Sequence, residues 1–233
     1  MRKKYIELIL GISAVFAIAV ALFASNARPT SLIDNLPGFF YLEFPAYSDA
    51  ILNLSSGYTT SVFLYFLIVF FPEHLRRKRV RENALKVYRE FKRSVLGLIL
   101  SASGKALTLD QIEELMEPDK FAEYFCHDET GSVGRWNEFL NGLDDFHVGQ
   151  IVIELEILRD EMQFIVNNVD LDDADAYVYL KHLSTVSYSM SKTGSDYDDQ
   201  KQWGRFLMEL FAQWNMGEGK WKKDYISESI RKI

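Results

Sequence analysis

The stretch "VFLYFLIVFFPEHLRRKRVRE", Val62 to Glu82, places ten uncharged residues directly before Pro72 and five Lys/Arg in the nine residues after it. A water-soluble core segment needs no wall of cations at its end. A chain leaving a bilayer does, because basic residues beside a span are retained at the anionic cytoplasmic leaflet. This junction therefore divides the chain into a membrane region, residues 1–72, and a polar remainder.

Composition supports the division once it is read by region. Overall, 48% of the 233 residues are hydrophobic and 25% charged, which taken alone describes an average globular protein. The charge sits almost entirely after residue 72. Residues 73–93 hold nine Lys/Arg and three Asp/Glu, a net of +6, and residues 94–233 hold thirteen and twenty-six, a net of −13. The net charge of −7 is thus a basic collar on an acidic body. An acidic body lacks the clustered positive surface that nucleic acid requires, so no direct nucleic-acid binding is expected. Cys126 is the single cysteine, which excludes a disulfide framework and a cysteine-based metal site.

Two membrane spans are expected. The first covers residues 5–24, "YIELILGISAVFAIAVALFA", with Glu7 as its single charge. Twenty residues at ~1.5 Å each match a hydrocarbon core of ~30 Å. A cleaved signal peptide is the alternative, given "MRKK" before the run and the small residues of "SNA" after it. The run exceeds the ~7–15 residues of a signal h-region, which favours a retained helix. The second span covers residues 51–71, with Asn53, Ser55, Ser56 and Gly57 at its outer end. "MRKK" and "RRKRVR" (Arg76–Arg81) flank the two spans, while the connecting loop, residues 25–50, has Arg28 alone. Both termini are therefore placed in the cytoplasm by the positive-inside rule.

Within the spans, Ser13, Ala17, Ala21 and Ser25 recur every four residues and form a small-residue face for close helix packing. That face serves either the second helix of the same chain or self-association. Ser56 and Thr60 make a weakly polar patch on the second span. Arg76, Arg77, Lys78, Arg79 and Arg81 are assigned to lipid head groups. Pro72 marks either a new helix start or a kink. After it, Val80, Ala84, Val87, Tyr88, Phe91, Val95, Leu98 and Ile99 keep the helical period. Residues 73–104 thus form one amphipathic helix, with Gly104 as its C-cap.

The remaining residues, 105–233, are expected to be an acidic helical domain. Thr108 and Gln111 have capping-box spacing, and Pro118 suits a helix start. Phe146 to Asn167 is a long periodic segment. The acidic run Asp170–Asp175 caps the next helix, "KTGSDYDD" is the longest connection, and strand alternation is absent. The fold class expected is all-α: two N-terminal transmembrane helices followed by a cytoplasmic helical bundle.

Motifs for catalysis are lacking. The acidic runs from Asp170 and Asp196 fail the calcium-loop pattern at its glycine and final glutamate positions. His74, His127, His147 and His182 have no i, i+4 pairing, and no residue five before a histidine is the arginine of a HEPN-type ribonuclease motif. No phosphate loop or nucleophile elbow occurs. No cofactor, metal or enzymatic activity is expected. Trp203, Trp214 and Trp221 are either core residues or a partner-recognition face.

Two apolar segments, then "RRKRVRENALKVYREFK", then a body containing "IELEILRDEMQFIVNNVDLDDADAYVYLKHLS" resemble the small two-transmembrane proteins of bacterial antiphage loci, among them effectors of retron systems. The resemblance is one of architecture and covers most of the chain. It implies an inner-membrane protein held silent by a cytoplasmic protein or nucleoprotein partner. On release it would disrupt the membrane, with homo-oligomerisation as the means. A membrane-tethered adaptor that recruits a cytoplasmic partner is the competing reading.

Overall fold

A computed structural model describes residues 2–24, 48–106, 108–126, 134–169, 171, 173–215, 219–220 and 224–233. The described residues are overwhelmingly helical. They divide into two compact units, Met1–Arg76 and Arg77–Ile233.

The first unit contains α1, Arg2–Ala24, and α2, Ser48–Tyr65, which pack on each other. A π-helical turn, Phe66–Phe70, follows α2 and leads into α3, Phe71–Ala102. Pro72 therefore interrupts no helix. Its ring would press on the Ile68 carbonyl of a regular α-helix, and it has no N–H to donate there. The π turn just before it widens the ladder, and the Phe71 N–H reaches back five residues to the Phe66 carbonyl. A one-residue widening is a known way to absorb such a defect. Among the described residues, one helical stretch, Asp49–Ala102, contains a segment long and apolar enough to cross a membrane. The apolar part described for α1, Leu8–Ala21, is shorter than that.

The second unit is built on the apolar stripe of α3. Ala84, Tyr88, Phe91, Val95, Leu96, Ile99 and Leu100 are all buried. The helix stops in a Schellman arrangement. Gly104 has φ +66°, its N–H donates to Ser101 O at 2.9 Å, and the Lys105 N–H donates to Leu100 O at 2.9 Å. Glycine takes the left-handed conformation without a Cβ clash, so the expected cap at Gly104 is present.

Short helices then wrap the stripe. Thr108 and Gln111 form the capping box of α4, Leu109–Leu115. Pro118 opens α5, Pro118–Cys126. After α6, Arg135–Gly142, come α7, Asp145–Asn168, and α8, Ala174–Met190, which pack on each other. Asp144 caps α7 and Asp173 caps α8. The connection expected over "KTGSDYDD" is shorter than its composition suggests, because α9 begins at Tyr197 and runs to Ala212. Gly194 N–H donates to Asp199 at 2.9 Å and Trp203 Nε1 donates to Gly194 O at 3.0 Å, which fixes the turn. Trp214–Asn215 and Gly219–Lys220 form a two-residue antiparallel ladder, a strand pair too short to leave an alternating pattern. The last helix, α10, is Tyr225–Arg231.

An aromatic cluster fills the centre. Phe121 stacks on Phe211 at 5.3 Å and lies 4.7 Å from Phe125, while Phe211 also stacks on Phe91 at 6.3 Å. Trp136 meets Phe121, Phe125 and Phe139 edge-on or tilted. At the end of α6 the backbones come together: a Cβ on Gly142 would overlap the Ala102 carbonyl oxygen of α3, whereas a Cβ on Gly97 meets nothing.

Gly142→Ala should therefore lower stability by about 1–3 kcal/mol through overpacking. Gly97→Ala should raise it by about 0.5–1 kcal/mol through helix propensity. Thermal unfolding of the detergent-purified full chain by circular dichroism checks the pair, and the two melting temperatures should move in opposite directions.

Candidate functional site

Two regions carry unusual chemistry, one in each unit. In the first, burial is inverted relative to a water-soluble helix pair. Phe16 is 70% exposed and Ile68 69%, whereas Ala17 and Ser55 are 9% and 8% exposed. Leu8, Ile9, Ile12 and Val15 of α1 also point outward, as do Leu54 and Phe63 of α2. The inner face is mostly small or hydroxylated, with Val62, 6% exposed, as its apolar member. Ser13 Oγ donates to Leu10 O at 2.9 Å and lies 2.6 Å from Tyr58 Oη of α2. Thr59 Oγ1 donates to Ser55 O at 2.8 Å. Small residues that let backbones approach, with hydroxyls satisfied between helices, are how helices associate where the solvent is apolar.

The structure thus sets Ser13 and Ala17 at the α1–α2 contact, with Ala21 half-buried. Ser25 lies outside the described residues, as does the side chain of Glu7. Ser56 and Thr60 are exposed. They share the outer side of α2 with Ser61, whose Oγ donates to Gly57 O at 2.8 Å, and with Gly57, whose α-carbon faces open space. In the collar, Arg76, Lys78 and Arg79 are exposed and Arg77 and Arg81 half-buried. Lys78 and Glu82, 3.9 Å apart, form an exposed i, i+4 pair of the kind worth ~0.3–0.5 kcal/mol.

The second region was not singled out from the sequence. Lys92 interrupts the apolar stripe of α3 and is only 6% exposed. Its Nζ donates to Met116 O and to Asp224 Oδ2, the latter at 3.2 Å, and lies 5.5 Å from the centre of the Tyr88 ring. Tyr88 Oη donates to Asp224 Oδ1 at 3.1 Å. The same carboxylate caps α10 by accepting from Ser227 N–H at 3.1 Å. Asp224 therefore joins α3 to α10, and Lys92 extends the link to the Met116 carbonyl at the end of α4. Burial, with the Asp224 charge adding to it, pushes the Tyr88 hydroxyl well above the ordinary tyrosine range. The cluster floors a cleft of about 760 Å³ whose rim includes Arg89, Glu117 and Arg231. The cation, carboxylate and phenol are bonded to one another, so this is a structural polar core. The signals for it were a lysine on an apolar helical stripe and "DYIS" at a helix start.

The remaining candidates resolve individually. Trp203 is wholly buried and edge-on to Phe206 at 6.2 Å, so it is a core residue and offers no recognition face. Trp221 and the Trp214 side chain lie outside the described residues, as does His127. His147 and its own cap residue Asp144 are 2.6 Å apart, and His74 stacks on Phe70 at 6.1 Å. His182 is exposed. Among the described residues, no three His, Cys, Asp or Glu are grouped to hold a metal ion. Compared with known proteins, the chain matches no family model, no curated protein and no solved structure.

Lys92→Met strands an aspartate that is largely shielded, and should cost about 1–3 kcal/mol, less than the ~3–5 of a wholly buried pair because Asp224 keeps some solvent. Lys92→Met combined with Asp224→Ser, which retains a capping hydroxyl, should recover part of that loss. Chemical denaturation of the four proteins in a double-mutant cycle reads the coupling.

The raised Tyr88 also has a pH signature. Its folded value lies above its unfolded value, so its contribution is fully present below the ordinary tyrosine value of ~10 and is lost as pH rises through the folded value. Tyr88→Phe should flatten the decline in melting temperature above pH ~10 relative to the unaltered chain.

Proposed function

We propose that this chain is a bacterial inner-membrane effector of a defence system, held inactive by cytoplasmic partners and disrupting the membrane when released. The observation that carries the membrane part is the burial pattern of α1 and α2: most large apolar side chains point outward, while Ala17, Ser55 and the Ser13–Tyr58 hydroxyl contact lie between the helices. In water, so much exposed apolar surface on two adjacent helices would drive aggregation. In lipid it is the expected exterior. On this reading both helices span, α1 using residues 5–24, and the collar Arg76–Arg81 lies at the cytoplasmic leaflet with both termini on that side. Each basic residue near an anionic surface contributes ~1 kcal/mol.

The effector part rests on the resemblance of architecture and on the outer side of α2. Ser13 and Ala17 face α2 within one copy, which leaves Ser56, Gly57, Thr60 and Ser61 as the small and polar surface that lipid would otherwise cover. Assembly through that surface would bring hydroxyls together between copies, giving a weakly polar lining. The monomer face on α1 holds the hairpin, and the α2 face supplies self-association.

Expression of the chain alone in a bacterium, with a potential-sensitive dye, tests this. Depolarisation and growth arrest are expected. Ser56→Leu with Thr60→Leu should abolish both at equal membrane levels, whereas Ala17→Leu should lower the membrane level itself by splaying the hairpin. Normal potential at high membrane levels, with or without infection, would refute the effector reading and favour the membrane-tethered adaptor.

A further inference from the structure

The long helix α7 is apolar on two sides. One side, Val148, Ile151, Leu155, Leu158, Met162 and Ile165, is buried in the core. The other carries Phe146, Ile153, Ile157 and Phe164, which are 45–66% exposed. At 100° per residue these four fall within an arc of about 40° and extend over about 27 Å of helix. Scattered exposed apolar residues need no explanation, but a straight line of four on one helix does. The fold does not bury this line: α7 meets its neighbours chiefly through the opposite side, and beside the line Glu161 accepts from Asn83 Nδ2 of α3 at 3.0 Å.

The shoulders of the line are acidic on both sides. Helical geometry puts Glu154 and Glu161 on one shoulder and Glu156 and Asp160 on the other. Arg159 is the one lysine or arginine of α7 itself. It is 19% exposed, and it is engaged by Asp160 at 2.8 Å and Glu156 at 3.9 Å. A second copy of α7 laid on this face would set acid against acid whether parallel or antiparallel, since both shoulders have the same sign. An anionic bilayer surface would be repelled for the same reason. A narrow line of this length fits one helix with anchors at i, i+4 and i+7 spacing. We infer that the outer face of α7 is a docking site for an amphipathic helix of a partner protein whose apolar stripe is flanked by lysine or arginine. The inference rests on the second unit alone and holds whether the chain is an effector or an adaptor.

The full chain in nanodiscs of zwitterionic lipid tests it against two synthetic helical peptides with the same leucine stripe, one flanked by lysine and one by glutamate, with empty nanodiscs as the baseline. The lysine peptide should bind at least about tenfold more tightly than the glutamate peptide. Ile153→Glu with Ile157→Glu, at exposed positions, should weaken it by about tenfold or more. Reversing Glu154, Glu156 and Glu161 to Lys should exchange the preference between the peptides. Equal binding of both peptides, binding no greater than to empty nanodiscs, or no change in either variant would overturn the proposal. So would self-crosslinking of Ile157→Cys in a Cys126→Ser background, which would assign the face to a second copy. A blue shift of a polarity-sensitive dye at that cysteine on anionic vesicles would assign it to lipid, with the same consequence.

Discussion

Burial of the α3 stripe is the interaction on which the second unit depends. Between Ala84 and Leu100, seven apolar side chains on one helix are withdrawn from water, each worth on the order of 1.5–3 kcal/mol for a full-sized side chain. Several later regions of the fold touch that helix. Phe211 of α9 stacks on Phe91, Met116 and Asp224 hold Lys92, Asn83 bonds Glu161 of α7 at 3.0 Å, and α6 closes on Ala102 at Gly142. The short helices α4, α5, α6 and α10 bury too little alone to be stable in water. They persist because each adds buried apolar residues to the core that the α3 stripe belongs to.

On the proposed membrane reading, the first unit follows the same packing logic in a different solvent. Helices in water hide their large apolar residues; α1 and α2 turn most of theirs outward. With lipid as the surrounding medium, burying a leucine against a helix gains little over leaving it in lipid. Close backbone approach and interhelical hydroxyl bonds then decide which faces meet. Ser13 and Tyr58 satisfy one another at such a contact. The proposed assembly through Ser56 and Thr60 is the same preference expressed between copies.

Charge gives the second unit its polarity. The basic residues are concentrated at the start of α3, and the acidic ones are spread over the helices that wrap it. Where a charge must be buried, as with Lys92, it is bonded by a carboxylate and a carbonyl, and the carboxylate also caps a helix. Where acid is left at the surface beside apolar side chains, as along α7, it selects the sign of whatever docks there. Electrostatic complementarity of this kind sets specificity more than raw affinity.

Much of this was legible in the sequence because the signals are local. The period of α3, the Gly104 cap, the Thr108–Gln111 box, the start at Pro118 and the acidic cap of α8 each depend on residues within a turn of one another. The apolar run meeting a basic cluster is likewise local, and with the apolar run of residues 5–24 it raised the membrane reading. What tertiary structure decided is what depends on residues far apart in the chain. Lys92 and Asp224 are 132 residues apart, so their pairing could not be read from either one. Trp203 could be core or surface until α9 was packed. The α1 small-residue face had two eligible partners until Ser13 met Tyr58. Helical periodicity marks a face as apolar without saying what covers it. That is why α7, with two apolar faces in its sequence, needed the packed structure to show which one remained open.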